Sequence, residues 1–388
     1  MESVEVPETL VDRRDGALLS WVWLAVGALL LPFAAWRTTA AIAAWMAPLF
    51  LLRFERTCAA RRPPTMHGRK PCGVRRVSLH LIWVAQVVGL LAGNRGAPFD
   101  VLGLVGNVLL KGAAWTLPYV ADRCLERRLR GWARTLVFPL SYTVIDWLIS
   151  LTAVTGSGSP AYSVALTPAI AQAASLTGMW GLTFLVAWFA SLANALWESR
   201  FEWRRLAGQV IPFAGLMAAL VVFGALRLDT DRPAASTVAA ATVTVDPALT
   251  DAALRSFDWL GFPRFTDEAR AALRPRLRPT VDQMVSRTET ALASGARIVA
   301  WQESGAWILE EDVPALVTRV AGLAVRYDAY VNVAIEELTR VRARRYVRNE
   351  SLLIDAQGRV LWTYAKAHPV PYGEAFVTVA GPPRLPIV

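Results

Sequence analysis

Cysteine is scarce in this 388-residue chain: Cys58, Cys72 and Cys124 are the only three, and none follows residue 124. They form no Cys-x-x-Cys pair, which excludes a disulfide framework and the usual zinc spacings. Cys58, His67 and Cys72 share one loop and are metal-ligand types, but their spacing fits no standard pattern and Cys124 is too far along to be a dependable fourth ligand. No metal or organic cofactor is implied. A cleavable leader is also missing, because Glu2, Glu5, Glu8 and Asp12 precede the first apolar run and no small-residue cleavage site stands out after it, so the first helix is expected to stay. There is no internal repeat and no low-complexity tract.

Apolar residues are abundant. At 54% hydrophobic, with a mean hydropathy of +0.36, the chain is too apolar for a soluble enzyme of its length, and its 16 Trp and 25 Gly suit a membrane protein. The net charge of +10 does not signal nucleic acid, because the basic residues crowd into short loops between apolar runs instead of forming one face. Runs long enough to cross a bilayer, roughly 17–25 residues each, occur about seven times: 17–35, 38–52, 77–93, 99–121, 133–154, 165–197 and 208–226. The second is short, and the sixth includes a lead-in suited to the membrane surface.

Loop charges orient these runs. With Arg13 and Arg14 cytoplasmic, the loops after runs two, four and six must also be cytoplasmic and should be rich in Lys and Arg. The first holds Arg53, Arg56, Arg61, Arg62, Arg69, Lys70, Arg75 and Arg76, the second Arg123, Arg127, Arg128, Arg130 and Arg134, and the third Arg200, Arg204 and Arg205. The opposite loops hold little more than Arg37 and Arg95. The alternation predicts a multi-pass protein of the cytoplasmic (inner) membrane, with residues after about Asp229 on the extracytoplasmic, periplasmic side and all three cysteines on the other. Inside the runs, Asp146 is a costly ionisable group expected to have a structural or lipid-headgroup role or to be hydrated near the outer interface, and Lys111 is expected to snorkel.

From Ser236 the composition becomes that of a soluble α/β domain, giving a membrane domain over 1–227 and a second domain over 236–388. Residues 238–245 alternate as a strand does, and 266–294 read as one or two helices interrupted near Pro275 and Pro279. A buried-type strand over 297–301 ends at Glu303. A helix over 315–326 and a strand over 329–336 follow, then a hairpin of 351–355 and 360–364 across Ala356-Gln-Gly-Arg.

Two segments of this second domain carry chemistry. A thiol of pKa about 8.5 is mostly protonated at neutral pH and needs a base within hydrogen-bond reach to act as a nucleophile. Attack on a carbonyl builds negative charge on oxygen, which a fixed lysine stabilises by roughly a few kcal/mol. Glu303 and Lys366 both sit at strand ends, where a base and a cation can converge; by itself a glutamate or lysine there is most often a solvated loop residue.

The surrounding residues are more specific. Ile298-Val-Ala-Trp-Gln-Glu303-Ser-Gly, Asn349 at the start of a strand, the Asp355-x-x-Gly-Arg turn and Tyr364-Ala-Lys366-Ala-His followed by Val370-Pro-Tyr-Gly-Glu374 resemble the nitrilase (carbon–nitrogen hydrolase) superfamily. That resemblance implies an α-β-β-α sandwich with Glu303 as general base, Lys366 as oxyanion-stabilising cation and Glu374 as a second carboxylate that orients the lysine. Pro139-Leu-Ser-Tyr-Thr-Val-Ile-Asp-Trp-Leu, Ser159-Pro-Ala-Tyr-Ser and the run from Pro168 through Thr177-Gly-Met-Trp-Gly are similar to the bacterial apolipoprotein N-acyltransferases, so the resemblance covers about 135–380. It implies an acyl chain taken from a phospholipid onto a cysteine as a thioester and passed to the N-terminal amine of a lipoprotein, with the bilayer as a third partner and no nucleic acid.

Gln302, Ala365 and Pro369 depart from the family pattern and suggest a divergent member whose acyl acceptor is the least defined feature. The family's nucleophilic cysteine, borne after a Gly-Arg-x-Gly strand, has no counterpart here. The expectation is therefore an incomplete nitrilase-like domain, C-terminally truncated, with an unpaired sheet edge and an uncovered apolar face, inactive as it stands. Two alternatives compete. One is a membrane-anchored amidase or nitrilase, which apolar residues rimming Glu303, such as Phe257, Trp259, Leu260 and Phe262, would disfavour unless they are ordinary core; the other is a non-catalytic membrane scaffold.

Overall fold

The computed structural model describes residues 10–34, 39–60, 74–93, 101–152, 158–230, 237–255, 266–340, 345–370 and 374–383. His67, Cys72, Phe257, Trp259, Leu260 and Phe262 lie outside them. The chain divides into two compact units, Met1–Arg232 and Pro233–Val388.

The first unit is helical. Its long helices are α1 (Leu10–Ala34), α2 (Ala41–Ala60), α3 (Val74–Gly93), α4 (Val101–Leu125), α5 (Trp132–Ser150), α8 (Ala174–Glu198) and α9 (Ala207–Thr230), with the short α6 (Ala161–Val164) and α7 (Pro168–Ala171) between α5 and α8. Helix covers most of the described residues of every apolar run, and among the described residues two stretches, Ala174–Glu198 and Trp203–Thr230, are both long and apolar enough to cross a membrane. Of the other helices, α2 carries Arg53, Glu55 and Arg56 in its last third, and α4 carries Asp122 and Arg123 near its end.

The sixth run does not form one helix. Residues 165–197 split into α7 and α8, and α8 is itself kinked at Gly178, whose φ of +65° only glycine takes without strain. Leu51, Leu52, Phe54, Ile82, Tyr119, Phe138, Ala187 and Ala190 form the main core of this unit. α9 packs on α7 through Gly224, where an added Cβ would lie 1.8 Å from the carbonyl oxygen of Ala169.

Two expectations for charged residues in the apolar runs are decided. For Asp146 the structural alternative holds over the hydrated one: its side chain is buried and its Oδ2 accepts hydrogen bonds from Ser159 Oγ and Thr183 Oγ1, each at 2.7 Å. Lys111 is 3% exposed, so it is buried and does not snorkel.

The second unit is built on a six-stranded mixed sheet. Its strands are β1 (Ala240–Val243), β2 (Ile298–Trp301), β3 (Ala306–Leu309), β4 (Tyr330–Leu338), β5 (Val347–Ile354) and β6 (Val360–Ala365). The order is β1-β2-β4-β5-β6, with β3 also on β4. β2 and β3 both run parallel to β4, the first opposite residues 330–332 and the second opposite residues 335–338. They are thus two halves of one interrupted strand, and residues 302–305 are the interruption. β4–β5 and β5–β6 are antiparallel.

Helices α10 (Pro247–Arg255), α11 (Asp267–Ala293) and α12 (Val313–Tyr327) accompany the sheet. Val281, Met284, Val285 and Leu292 of α11 and Leu316, Val320 and Ala324 of α12 share a core with Val243, Val299, Val331, Val333 and Ile335. α11 continues through Pro275 and Pro279, contrary to the expected interruption. Thr266 caps its N-terminus by accepting from the Ala269 amide at 3.3 Å, and a buried stripe from Leu273 to Leu292 spans both prolines, so tertiary packing offsets the hydrogen bonds they remove.

Candidate active site

Three local structures place the side chains. After β2 the chain leaves the sheet at Gln302 and turns at Ser304, whose φ of +55° is left-handed, and resumes as β3 after Gly305. Glu303 is therefore displayed at the gap between two half-strands that β4 holds in line. The β5–β6 hairpin is closed by Asp355, whose Oδ1 accepts from the amides of Gln357 (3.0 Å) and Arg359 (2.8 Å), with Gly358 at φ +79°. That hairpin delivers Lys366 immediately after β6, next to Asn349, and the Lys366 amide donates to the Asn349 carbonyl at 2.9 Å. Glu374 opens the short α13 (Glu374–Val377), and its Oε2 accepts from the Val370 amide at 2.8 Å.

The side chains converge. Lys366 Nζ lies 2.7 Å from Glu303 Oε1 and 2.7 Å from Glu374 Oε2. Asn349 Nδ2 donates to the same Oε1 of Glu303 at 3.0 Å. Both donors meet one oxygen, which leaves Oε2 available to take a proton. Charge-assisted bonds of this length are about twice as strong as neutral ones, so the triad fixes the lysine between two carboxylates.

The ionisation states follow. Partial desolvation pushes the Glu303 carboxyl up, but the hydrogen bond and charge of Lys366 and the Asn349 amide outweigh it and hold the carboxyl below its ordinary range. Burial alone would lower the Lys366 ammonium, whereas Glu303 and Glu374 together raise it. Both groups are ionised at neutral pH. A third carboxyl, Glu336, is 3% exposed and accepts from Ser304 Oγ at 2.6 Å. Burial pushes it up to about 8, with Glu374 and Glu303 adding to the rise against Ser304 and Lys366.

Of the residues expected from sequence, Glu303, Lys366 and Glu374 are thus in mutual contact through the lysine. Cys58 is half-buried and Cys124 exposed, both in the helical unit, and the second unit contains no cysteine. Among the described residues no cluster of three or more metal-ligating side chains occurs. Asn349, Ser304 and Glu336 had no assigned part beforehand. Asn349 appeared only as a marker of the strand; Glu336 becomes visible through register, as the direct partner of Asn349 across β4 and β5, and Ser304 only through its bond to Glu336.

Residues 70–192 match the family described as the apolipoprotein N-acyltransferase N-terminal domain. The apolipoprotein N-acyltransferase of Bradyrhizobium diazoefficiens is 29% identical over 286 residues, which are 71% of this chain and 49% of that protein. That of Sinorhizobium medicae is 24% identical over 284 residues, 70% of this chain and 48% of the relative. The chain is similar to apolipoprotein N-acyltransferases over about 70% of its residues. It spans about half the length of the curated relatives it matches. Among solved structures, an amidase from Nesterenkonia sp. is 19% identical with a TM-score of 0.25, covering 29% of this chain and 45% of that one. A carbon–nitrogen hydrolase from Helicobacter pylori G27 is 18% identical with a TM-score of 0.24, covering 27% and 41%.

Proposed function

We propose that the chain provides the membrane unit and the base–cation half of a lipoprotein N-acyltransferase. The helical unit lies in the inner membrane as a multi-pass bundle with its arginine-rich loops cytoplasmic, and the unit from Pro233 onward is extracytoplasmic. The observation that carries the reading is the Glu303–Lys366–Glu374 triad, with both contacts of Lys366 at 2.7 Å.

In this reading Glu303 takes the proton of a cysteine thiol, and the thiolate attacks the ester carbonyl of a phospholipid. Lys366, held by Glu374, stabilises the oxyanion. Collapse breaks the ester bond, the leaving alkoxide takes the proton from Glu303, and the acyl group remains as a thioester. The N-terminal amine of a lipoprotein then attacks the thioester carbonyl and releases the thiol. Because no cysteine follows Cys124, these 388 residues by themselves are inactive in acyl transfer.

The test joins this chain to the remaining C-terminal portion of the Bradyrhizobium diazoefficiens relative and incubates the chimera with phospholipid labelled in its acyl chain. A hydroxylamine-labile adduct that disappears with Glu303→Gln is expected, and none on the 388-residue chain alone. A folded chimera that forms no adduct, beside an intact relative that does, sinks the reading.

A further inference from the structure

Glu303 is held at its side chain by Asn349 and Lys366, but its position also depends on the backbone that follows it. Ser304 is left-handed, a conformation costly for a residue with a Cβ unless something fixes it. The fixing contact is a hydrogen bond: Ser304 Oγ donates to Glu336 Oε1 at 2.6 Å. Glu336 lies in β4, with Trp307 of β3 as its parallel neighbour and Asn349 of β5 as its antiparallel one. Directly opposite residues of an antiparallel pair project to the same face, so Glu336 and Asn349 reach the interruption from adjacent strands. One holds Glu303 itself and the other holds the residue after it.

The geometry points to Glu336 as a positioning residue for the Glu303–Lys366 pair: through Ser304 it anchors the left-handed turn that brings the Glu303 carboxylate onto the Lys366 ammonium. This rests on the proposed role of that pair. Its place inside the site gives it an electrostatic effect as well, because the charged groups that face it are Glu374, Lys366 and Glu303. As a neutral acid it leaves two carboxylates around one ammonium; once ionised it makes three. A carboxyl serving only as packing would influence neither the aim of Glu303 nor the proton on Lys366.

The chain has three lysines, Lys70, Lys111 and Lys366, so acylation of Lys366 by acetic anhydride can be followed by peptide mass spectrometry on the full chain in detergent, with Lys70 as the internal reference. In the wild type the ion pair protects Lys366 relative to Glu303→Ala. Glu336→Ala and Ser304→Ala, each removing the anchoring bond, should speed the reaction about fivefold, the population change of one ordinary hydrogen bond. Glu336→Gln, which still accepts from Ser304, should restore wild-type protection near neutral pH. It should also lose an inflection at about pH 8 in the Lys366 rate, where ionised Glu336 makes the ammonium hold its proton more tightly. If Glu336→Ala does not fold, Ser304→Ala decides alone. Unchanged protection in these variants, or failure of Glu336→Gln to restore it, overturns the assignment while leaving the pair intact. Wild-type Lys366 as reactive as in Glu303→Ala overturns the pair itself, and this inference with it.

Discussion

The two units of the chain solve opposite solvation problems. In the helical unit large apolar side chains face outward: Ile211, Val222 and Leu226 of α9 are 60%, 57% and 59% exposed. Several of its charges face inward, where Arg56 clasps Asp122 through two bonds of 3.0 and 2.9 Å, Arg123 pairs with Glu55, and Asp146 is tied to Ser159 and Thr183. The α/β unit reverses this. Its aliphatic side chains fill the interior, and pairs such as Arg274–Asp312 and Arg319–Asp282 lie on the surface. An exterior of exposed leucines and valines is costly in water and favourable in hydrocarbon, which fits the proposed placement of one unit in a bilayer and the other in water. Interior charge in the first unit is tolerable because it is paired.

Breaking the contrast should hurt most where a buried charge is orphaned. Arg56→Ala leaves the Asp122 carboxylate buried without its guanidinium and should lower stability by roughly 3–5 kcal/mol, read by thermal unfolding in detergent, with Asp122→Leu added to Arg56→Met recovering most of the loss. Next is the site: in the chimera, Lys366→Ala should reduce thioester formation by about 10²- to 10³-fold, the usual effect of removing one oxyanion donor.

A pH comparison sharpens the picture within the α/β unit. Glu336 and Glu337 both lie above the ordinary carboxyl range, at about 8 and about 7, mainly through burial and, for Glu337, also through the charge of Glu350. A carboxyl raised on folding contributes stability that is complete below its unfolded value near 4.5 and is lost as pH rises through the folded one. Hydrogen exchange of β4 amides should therefore show protection weakening between about pH 5 and pH 8, after correction for intrinsic exchange. Glu337→Gln should flatten part of that slope, whereas a steeper slope in the variant would contradict the burial argument. The smallest effect belongs to the water-facing surface, where Arg274→Ala should change the melting free energy by less than about 1 kcal/mol.

Sequence patterns recovered what depends on long local signals. Every apolar run but the sixth became a single helix because its length and composition permit little else, and the hairpin was readable from its Asp355-x-x-Gly358-Arg359 turn. Shorter or non-local features were not readable. β3 is four residues long and lacks a clean alternation, α10 was missed outright, and the prolines of α11 signalled a break that buried packing overrides. Asp146 could not be resolved because its partners lie 13 and 37 residues away. At the site, Glu303, Lys366 and Glu374 were identified by resemblance and not by spacing, while Glu336 depends on a cross-strand register that no linear motif encodes.

The split strand has an evolutionary corollary. Since β2 and β3 are each clamped to β4, residues 302–305 form a non-strand segment spanning two fixed rails and tied down by side chains at Glu303 and Ser304. An insertion there would be absorbed as a longer protrusion with the rails unmoved, lifting the carboxylate off the lysine while the domain folded normally. An insertion within β4 would instead displace one rail against the other and spoil the sheet. Function and folding are therefore exposed to different lesions only a few ångströms apart, which makes loss of chemistry with retention of shape an easy path for a protein built this way.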